Sequence, residues 1–302
     1  MNAPSPYLNS TILSELLEAL NPNRARIHID GLSGSLPSFL VATLAQQDPT
    51  LSQLIICPSK EEALYFATDL QAILDADKSK LFPSSYRRAY HYDPDQTDNA
   101  NIILRSEVLK TLSSGLPLII VSYPEALSEK VPAQTILSKN TIHISKGQQM
   151  DVWDLADQLA ERGFEREDFV VEPGQYAVRG GIVDIFSFAS DNPYRIEFLD
   201  DTVDSLRTYD TATQLSIHQL DRIDIVPNLS TGSQGSPQQA SPTPPRVSLL
   251  DYLSSTDIIW TEGLMMATER IENLLIETQR PMRHASTTAS TPLPARCHNP
   301  RN

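Results

Sequence analysis

Apolar positions in the first half of the chain follow two spacings. Where they recur every three or four residues they predict amphipathic helices, and where they form short uninterrupted runs they predict buried strands. The predicted helices cover residues 8–20, 60–74 and 102–112, and the predicted strands cover residues 26–30, 54–57 and 118–121. Strands that alternate with helices favour a parallel α/β layer.

The pattern changes near residue 140. A strand over residues 141–144 and a helix over residues 151–162 are followed by short strands with no helix between them. These strands are predicted at residues 176–178, 181–186, 194–198, 203–209 and 223–226. Such rapid succession, with turn residues between the strands, indicates an antiparallel sheet in an α+β module.

A composition shift then marks a boundary. Residues 230–245 are rich in Gly, Ser, Gln and Pro, which is typical of a flexible linker. The ordered piece that follows is too small to fold alone, so we expect it to pack on the first layer. The predicted division is α/β scaffold 1–138, α+β module 139–228, linker 229–246, returning scaffold segment 247–280 and disordered tail 281–302.

Charge and cysteine content indicate which partners and which cellular compartment to expect. The net charge is -14, with 24 basic against 38 acidic residues, so strong autonomous binding to nucleic-acid phosphates is not expected. Two distant cysteines, Cys57 and Cys297, fit a reducing compartment. No signal peptide and no apolar run of about 18 residues occur, so we expect a soluble cytoplasmic protein.

A strand-to-helix turn at residues 31–38 lies where a phosphate-binding loop would lie. A working loop reads G-x-x-x-x-G-K-S/T, because backbone amides and the lysine hold the phosphates. Here Leu36 replaces the second glycine and Pro37 replaces the lysine. A lone Glu262 after a later strand and scattered histidines add no hydrolytic or metal-binding pattern. We therefore predict no catalytic, cofactor-binding or metal-binding residues.

An aromatic and basic run at residues 86–92 (YRRAYHY) permits two interpretations. Rings beside guanidinium groups suit stacking on nucleic-acid bases. The run is short and is followed by aspartates, so a loop packed at the sheet edge is an equal alternative.

The densest signal is the pair of strands that contains Arg179 and Arg195. If the strands pair antiparallel, both arginines lie on one sheet face, with the apolar Leu199 between them. Arginine is enriched at interface hot spots, so the group predicts a protein-docking patch. The alternative is that both arginines pair with local acids such as Glu197 or Asp184. The pattern alone leaves the two interpretations open.

These segments resemble the second domain of the bacterial transcription-repair coupling factors (Mfd). The clearest matching segment is residues 174–186, GQYAVRGGIVDIF. The resemblance as a whole covers about residues 10–278. Further matching segments are residues 86–89, 193–201, 203–207 and 248–252. The resemblance implies a degenerate helicase-like, P-loop NTPase-like parallel layer, as in UvrB, with an inserted antiparallel α+β module.

The resemblance also implies a partner and a site. Arg179 and Arg195 match the arginines through which the family engages UvrA, and Leu199 matches an apolar contact position where the family can have Phe. We therefore expect a non-catalytic adaptor, without cofactors, that recruits UvrA to stalled RNA polymerase in transcription-coupled nucleotide excision repair. RNA polymerase and DNA would be engaged only by the later domains of the full-length family proteins, which this chain lacks.

Two rival functions follow from the same residues. The first is a UvrB-like, ATP-dependent damage-verification protein. Leu36 and Pro37 oppose it, as does the short interval at residues 93–100, which leaves no room for a DNA-gripping hairpin. The second is a DNA-binding domain, which the charge of -14 opposes.

Overall fold

The computed structural model describes residues 26–75, 77–85, 99–227 and 245–279, together with the isolated helical positions Glu15 and Ala19. Five predicted features lie wholly or largely outside the described residues: the helix at 8–20, the aromatic run at 86–92, the short interval at 93–100, the linker and the tail. Among the described residues, no helix combines the length and apolarity needed to cross a membrane.

The described residues form a parallel sheet, a larger antiparallel sheet and two short ribbons. The helices are α1 (Leu36–Gln47), α2 (Lys60–Ile73), α3 (Asn99–Ser113), α4 (Pro124–Ser128), α5 (Gln134–Asn140), α6 (Val152–Glu161) and α7 (Leu264–Gln279). The first strands are β1 (Gln53–Ile56), β2 (Ser79–Leu81), β3 (Ile119–Ser122), β4 (Val131–Pro132), β5 (Ile142–Ser145), β6 (Glu165–Arg166) and β7 (Gln175–Arg179). The remaining strands are β8 (Ile182–Ile185), β9 (Tyr194–Leu199), β10 (Thr202–Tyr209), β11 (Ser216–Leu220), β12 (Arg222–Ile225), β13 (Arg246–Val247) and β14 (Ile258–Thr261). The predicted mixed α/β class is confirmed.

The parallel sheet has the order β14-β1-β3-β2. Strands β1 and β3 are buried along their whole length, which explains the apolar runs at residues 54–56 and 119–121. Although β14 lies about 200 residues after β1, the two strands pair in parallel. The indole Nε1 of Trp260 donates to Oε1 of the buried Gln53 at 2.9 Å. The first layer is therefore built from two separate segments of the chain.

The antiparallel sheet has the order β11-β10-β9-β8-β7-β6, with only β6 and β7 parallel. One of its faces packs against α6, whose Leu155 and Leu159 are fully buried. The strands contribute alternate side chains to this core, as expected for a sheet with one buried face. The buried strand residues are Tyr176, Val183, Ile185, Tyr194, Ile196, Val203 and Leu206.

The chain enters and leaves the second module through the antiparallel ribbon β5–β12. At this junction, residues from each part of the chain pack in the core of the other part. Ile102 of α3 belongs to the core of the antiparallel module, while Ala189 and Val226 belong to the core of the parallel layer. An ion pair between Lys110 Nζ and Asp224 Oδ2, at 3.3 Å, adds a polar link. The module is therefore seated on the scaffold by burial as well as by covalent connection.

One predicted element differs from the structure. Residues 26–30 form no strand, and only Ile29 of this exposed segment packs on the apolar cluster around Leu40. The start of the returning segment, for which the sequence predicts no element type, contains a 3-10 turn at Leu249–Tyr252, where Ser248 and Asp251 form a reciprocal capping box.

Gly174, just before β7, offers a test of packing at the base of the antiparallel sheet. Its φ is +91°, and an added Cβ would lie 2.6 Å from the Phe188 ring. Gly147 has φ +81° with nothing within 4 Å of such a Cβ. We expect Gly147→Ala to lower the free energy of unfolding by about 1–2 kcal/mol, the cost of the left-handed backbone. Gly174→Ala should cost about 1–3 kcal/mol more because the ring must move.

Urea unfolding of both variants measures the difference. Equal losses would contradict the clash with Phe188.

Candidate protein-binding site

The face of the antiparallel sheet that points away from α6 carries the predicted docking residues. Tyr194 and Ile196 of β9 point into the core, so Arg195 and Leu199 lie on the opposite face. The pairing of β7 with β8 places Arg179 on the same face. We call this surface the outer face, and it brings all three predicted site residues together.

Asp184 lies between the two arginines on the outer face. In the sheet register it is opposite Ala177 of β7 and Arg195 of β9. Its carboxylate accepts from Arg195 Nε at 2.7 Å and from Arg195 Nη2 at 2.9 Å, and it also accepts from Arg179 Nη2. Asp184 is only 1% exposed, because the guanidinium groups cover it. The local ion-pair interpretation therefore holds, and the same acid serves both arginines.

Arg195 is locked in place from several sides. Its guanidinium carbon lies 4.1 Å from the centroid of the buried Tyr209 ring, and its Nη2 also donates to Gln214 Oε1 at 2.9 Å. The hydrogen bonds to Asp184 raise the pKa of Arg195. Burial, followed by the nearby Asp184 charge, raises the pKa of Tyr209 to about 12. Only 14% of the Arg195 side chain is exposed, so most of it is unavailable to a partner.

Arg179 is the more accessible of the two arginines, with 37% of its side chain exposed. Its Nη1 donates to the backbone carbonyl of Asp168 at 3.0 Å, and its guanidinium lies 5.6 Å from the centroid of the Phe169 ring. Two guanidinium groups share the single carboxylate of Asp184. The cluster therefore keeps one excess positive charge, and the part of it that solvent reaches best is Arg179.

Glu197, the other acid considered as a partner for the arginines, is engaged elsewhere. It pairs with Arg207 of β10, whose Nη1 donates to it at 3.0 Å, and it accepts from Ser205 Oγ at 2.7 Å. The hydrogen bond from Arg207 is the main cause of its lowered pKa. The Glu197–Arg207 pair is balanced within itself, and Arg195 contributes to the lowered pKa of Glu197 only through its charge.

Leu199 ends β9 and is 68% exposed. The sequence prediction that the arginines flank Leu199 is wrong, because Asp184 occupies that position. The register instead places Leu199 at the same end of the sheet as Arg179, since Glu197 is opposite Ile182 and Ile182 is opposite Arg179. The accessible arginine and an exposed apolar side chain thus lie at one end of the outer face.

Three contributors to the outer face were missed from the sequence: Phe169, Tyr209 and Gln214. The apolar residues of β10 are three positions apart and its pairing contains two register shifts, so the sequence pattern does not assign Tyr209 to a face. Phe169 and Gln214 come from loops, and no sequence periodicity places a loop residue beside a distant strand.

The phosphate-loop positions form a turn without the groups that hold phosphates. Gly31 and Gly34 have positive φ, and α1 begins at Leu36 with Pro37 in its first turn. At the carboxyl ends of β1, β3 and β14 there is a groove of about 770 Å³, lined in part by Glu262 and Arg270. Within the described ranges, no cluster of three or more His, Cys, Asp or Glu side chains could hold a metal ion.

Comparison with known proteins bears on the same region. Residues 142–230, which contain the whole outer face, match the family model described as the UvrB interaction domain. The chain is 31% identical over 200 residues to the transcription-repair-coupling factor of Bacillus subtilis, and 27% identical over 196 residues to that of Escherichia coli. Each match covers 65% of this chain but only 16% and 17% of the relative.

A UvrABC system protein B is also similar. The protein from Legionella pneumophila is 26% identical over 287 residues, which is 89% of this chain and 40% of the relative. The resemblance to the UvrB-like region of the coupling factors, predicted from the sequence, is confirmed. The chain spans less than half the length of each of these relatives.

The burial of Asp184 leads to a stability prediction. Asp184→Ala leaves the largely buried Arg195 without its carboxylate, and breaking a buried pair in this way commonly costs about 3–5 kcal/mol. Glu197→Ala removes an equivalent carboxylate from a pair that is more exposed, so we expect a loss of about 1 kcal/mol or less. Chemical denaturation of the two variants makes the comparison, and similar losses would mean that Asp184 does not organise the outer face.

Proposed function

We propose that this chain, a homologue of the UvrB-like region of transcription-repair-coupling factors, is a non-catalytic adaptor that binds UvrA. Its role would be to bring the excision-repair machinery to RNA polymerase stalled at DNA damage. The observation that carries the proposal is the outer face of the matched UvrB interaction domain region, where the accessible arginine of the Asp184 cluster and an exposed leucine lie at the same end of the sheet.

The chemistry of this face suits protein binding. Arginine presents a planar fork of donors that matches a carboxylate, and it is enriched among residues that dominate binding energy. Arg179 is fixed on one side by Asp184 and by the carbonyl of Asp168, so little side-chain entropy remains to be lost on binding. Leu199 offers apolar area that a partner would bury. The partner surface that fits is acidic with an apolar side chain beside it.

The parallel layer serves this face as a scaffold. Ile102 of the layer packs in the core of the module, and Val226 packs in the core of the layer, so the layer holds the module in place. This supporting role requires no catalytic activity. Leu36 and Pro37 support a non-catalytic role, because the proline removes both a charge and a backbone donor from the phosphate-loop position. The helicase-like ancestry of the layer is part of the proposal.

The second candidate is a UvrB-like, ATP-dependent damage-verification protein. The observation in its favour is the match to UvrABC system protein B, which covers 89% of the chain. The substituted phosphate loop opposes it. Engagement of RNA polymerase and DNA, which the proposed coupling requires, is assigned to parts of the full-length family proteins beyond the region that this chain matches.

Binding to UvrA tests the adaptor function. Isothermal titration of this chain with purified UvrA should give a saturable isotherm. Arg179→Ala should weaken binding by about 2 kcal/mol, as hot-spot truncations do, and Leu199→Ala by about 1 kcal/mol. Arg222→Ala and Leu116→Ala, which remove exposed residues of the same two types elsewhere, serve as matched controls and should bind like the wild type. Equal affinity of all five proteins would reject the outer face as the site.

Nucleotide binding tests the rival function. A ligand that binds only the folded protein raises its melting temperature. We expect millimolar Mg-ATP to leave the Tm of this chain unchanged in differential scanning fluorimetry, with an intact UvrB as the positive control. A rise in Tm that grows with ATP concentration would favour the UvrB-like enzyme.

A further inference from the structure

We propose that Phe169 is a direct contact of the docking face, where its ring and the Arg179 guanidinium form one composite binding point. This point would receive a partner segment that carries a carboxylate next to an apolar side chain. The inference rests on the proposed binding of UvrA and extends that site to the loop between β6 and β7.

Phe169 is exposed for a structural reason. Successive residues of this loop turn their side chains in opposite directions. Val170 is 1% exposed and packs on Ala177 and Phe186 of the sheet. This anchor directs its neighbours outward, and Phe169 and Val171 are 66% and 57% exposed. The ring therefore contributes little to either core, so a contribution to the stability of the fold does not explain why an aromatic residue lies here.

The loop that carries Phe169 is held by its own hydrogen bonds. The backbone N–H groups of Val171 and Glu172 both donate to Oε1 of Gln175, at 2.9 and 3.0 Å. The N–H of Glu167 donates to the carbonyl of Tyr176 at 2.8 Å. A partner would meet an exposed aromatic ring that is already positioned, and binding to a preorganised group loses less conformational entropy.

The ring and the arginine are coupled. The Arg179 guanidinium lies 5.6 Å from the Phe169 centroid, within the range of a cation–π contact. The same guanidinium belongs to the cluster in which two arginines share the single carboxylate of Asp184. The excess positive charge is thus displayed next to an apolar ring. A carboxylate on the partner would satisfy the charge, while an adjacent apolar side chain would cover the ring and exclude water from the pair.

Trp153 provides a control of the same chemistry on the opposite side of the module. It is 59% exposed, and Arg166 lies 5.7 Å from its ring centroid. Trp153 lies in the first turn of α6, which packs against the inner face of the sheet. Arg166 pairs in register with Tyr176, whose side chain points to that inner face. A general preference for exposed aromatic rings would involve both residues, whereas docking on the outer face involves Phe169 alone.

Titration of UvrA with the full chain tests the inference. We expect Phe169→Ala to weaken binding by about thirtyfold, the lower end of the effect of a hot-spot residue. Phe169→Leu, which keeps apolar area but loses the ring, should recover part of that loss. Trp153→Ala should bind within about twofold of the wild type. The melting temperature of each variant is measured alongside, and we expect no change for Phe169→Ala because the ring is exposed.

The outcomes separate this inference from the proposed function. If Arg179→Ala weakens binding while Phe169→Ala binds like the wild type, the composite point is wrong and the UvrA adaptor stands. If Phe169→Ala and Trp153→Ala weaken binding equally, the effect is not specific to the outer face and the inference fails. If the wild-type chain does not bind UvrA at all, the proposed function and this inference both fail.

Discussion

The burial of one carboxylate organises the outer face of the antiparallel sheet. An ionised Asp184 that is 1% exposed is tolerated only because two guanidinium groups replace its water. That requirement fixes the side chains of Arg179 and Arg195 and draws Tyr209 under the second arginine. It also sets the charge of the face, since one acid cannot neutralise two bases. Rigidity and excess charge thus arise from the same interaction, which gives the two arginines different tasks: Arg195 holds the cluster, and Arg179 meets solvent.

The sheet makes this arrangement possible because its two faces have different neighbours. Alternation along β8 sends Val183 and Ile185 into the core and leaves Asp184 outside. Ile102 packs in the core of the module and Val226 packs in the core of the parallel layer, so the two parts are joined by buried contacts. The parallel layer therefore has a physical role of its own, since it completes the core on which the module rests.

The sequence predicts the parts of this molecule that depend on periodicity. The apolar face of the helix at 151–162 follows from its spacing, and the run at residues 118–121 indicates a strand because it is short and rich in β-branched residues; the structure confirms both elements. The pattern also suggests that Arg179 and Arg195 share a face. It does not show that Asp184 lies between them, because the relative positions of residues on β7, β8 and β9 depend on the register of both strand pairs. Phe169 is beyond sequence reasoning, since only the burial of its neighbour Val170 turns it outward.

The net charge of -14 constrains how such a face can work. The acidic partner proposed above would be repelled by the net charge of the chain and attracted by the cluster around Arg179. At physiological ionic strength, charges more than about 8 Å apart are largely screened, so the overall repulsion weakens before contact. A contact pair beside an apolar ring is screened less, because water and ions are displaced from it. In the proposed complex, Phe169 and Leu199 would therefore act electrostatically as well as through their area, because by excluding solvent they strengthen one local charge against many distant ones.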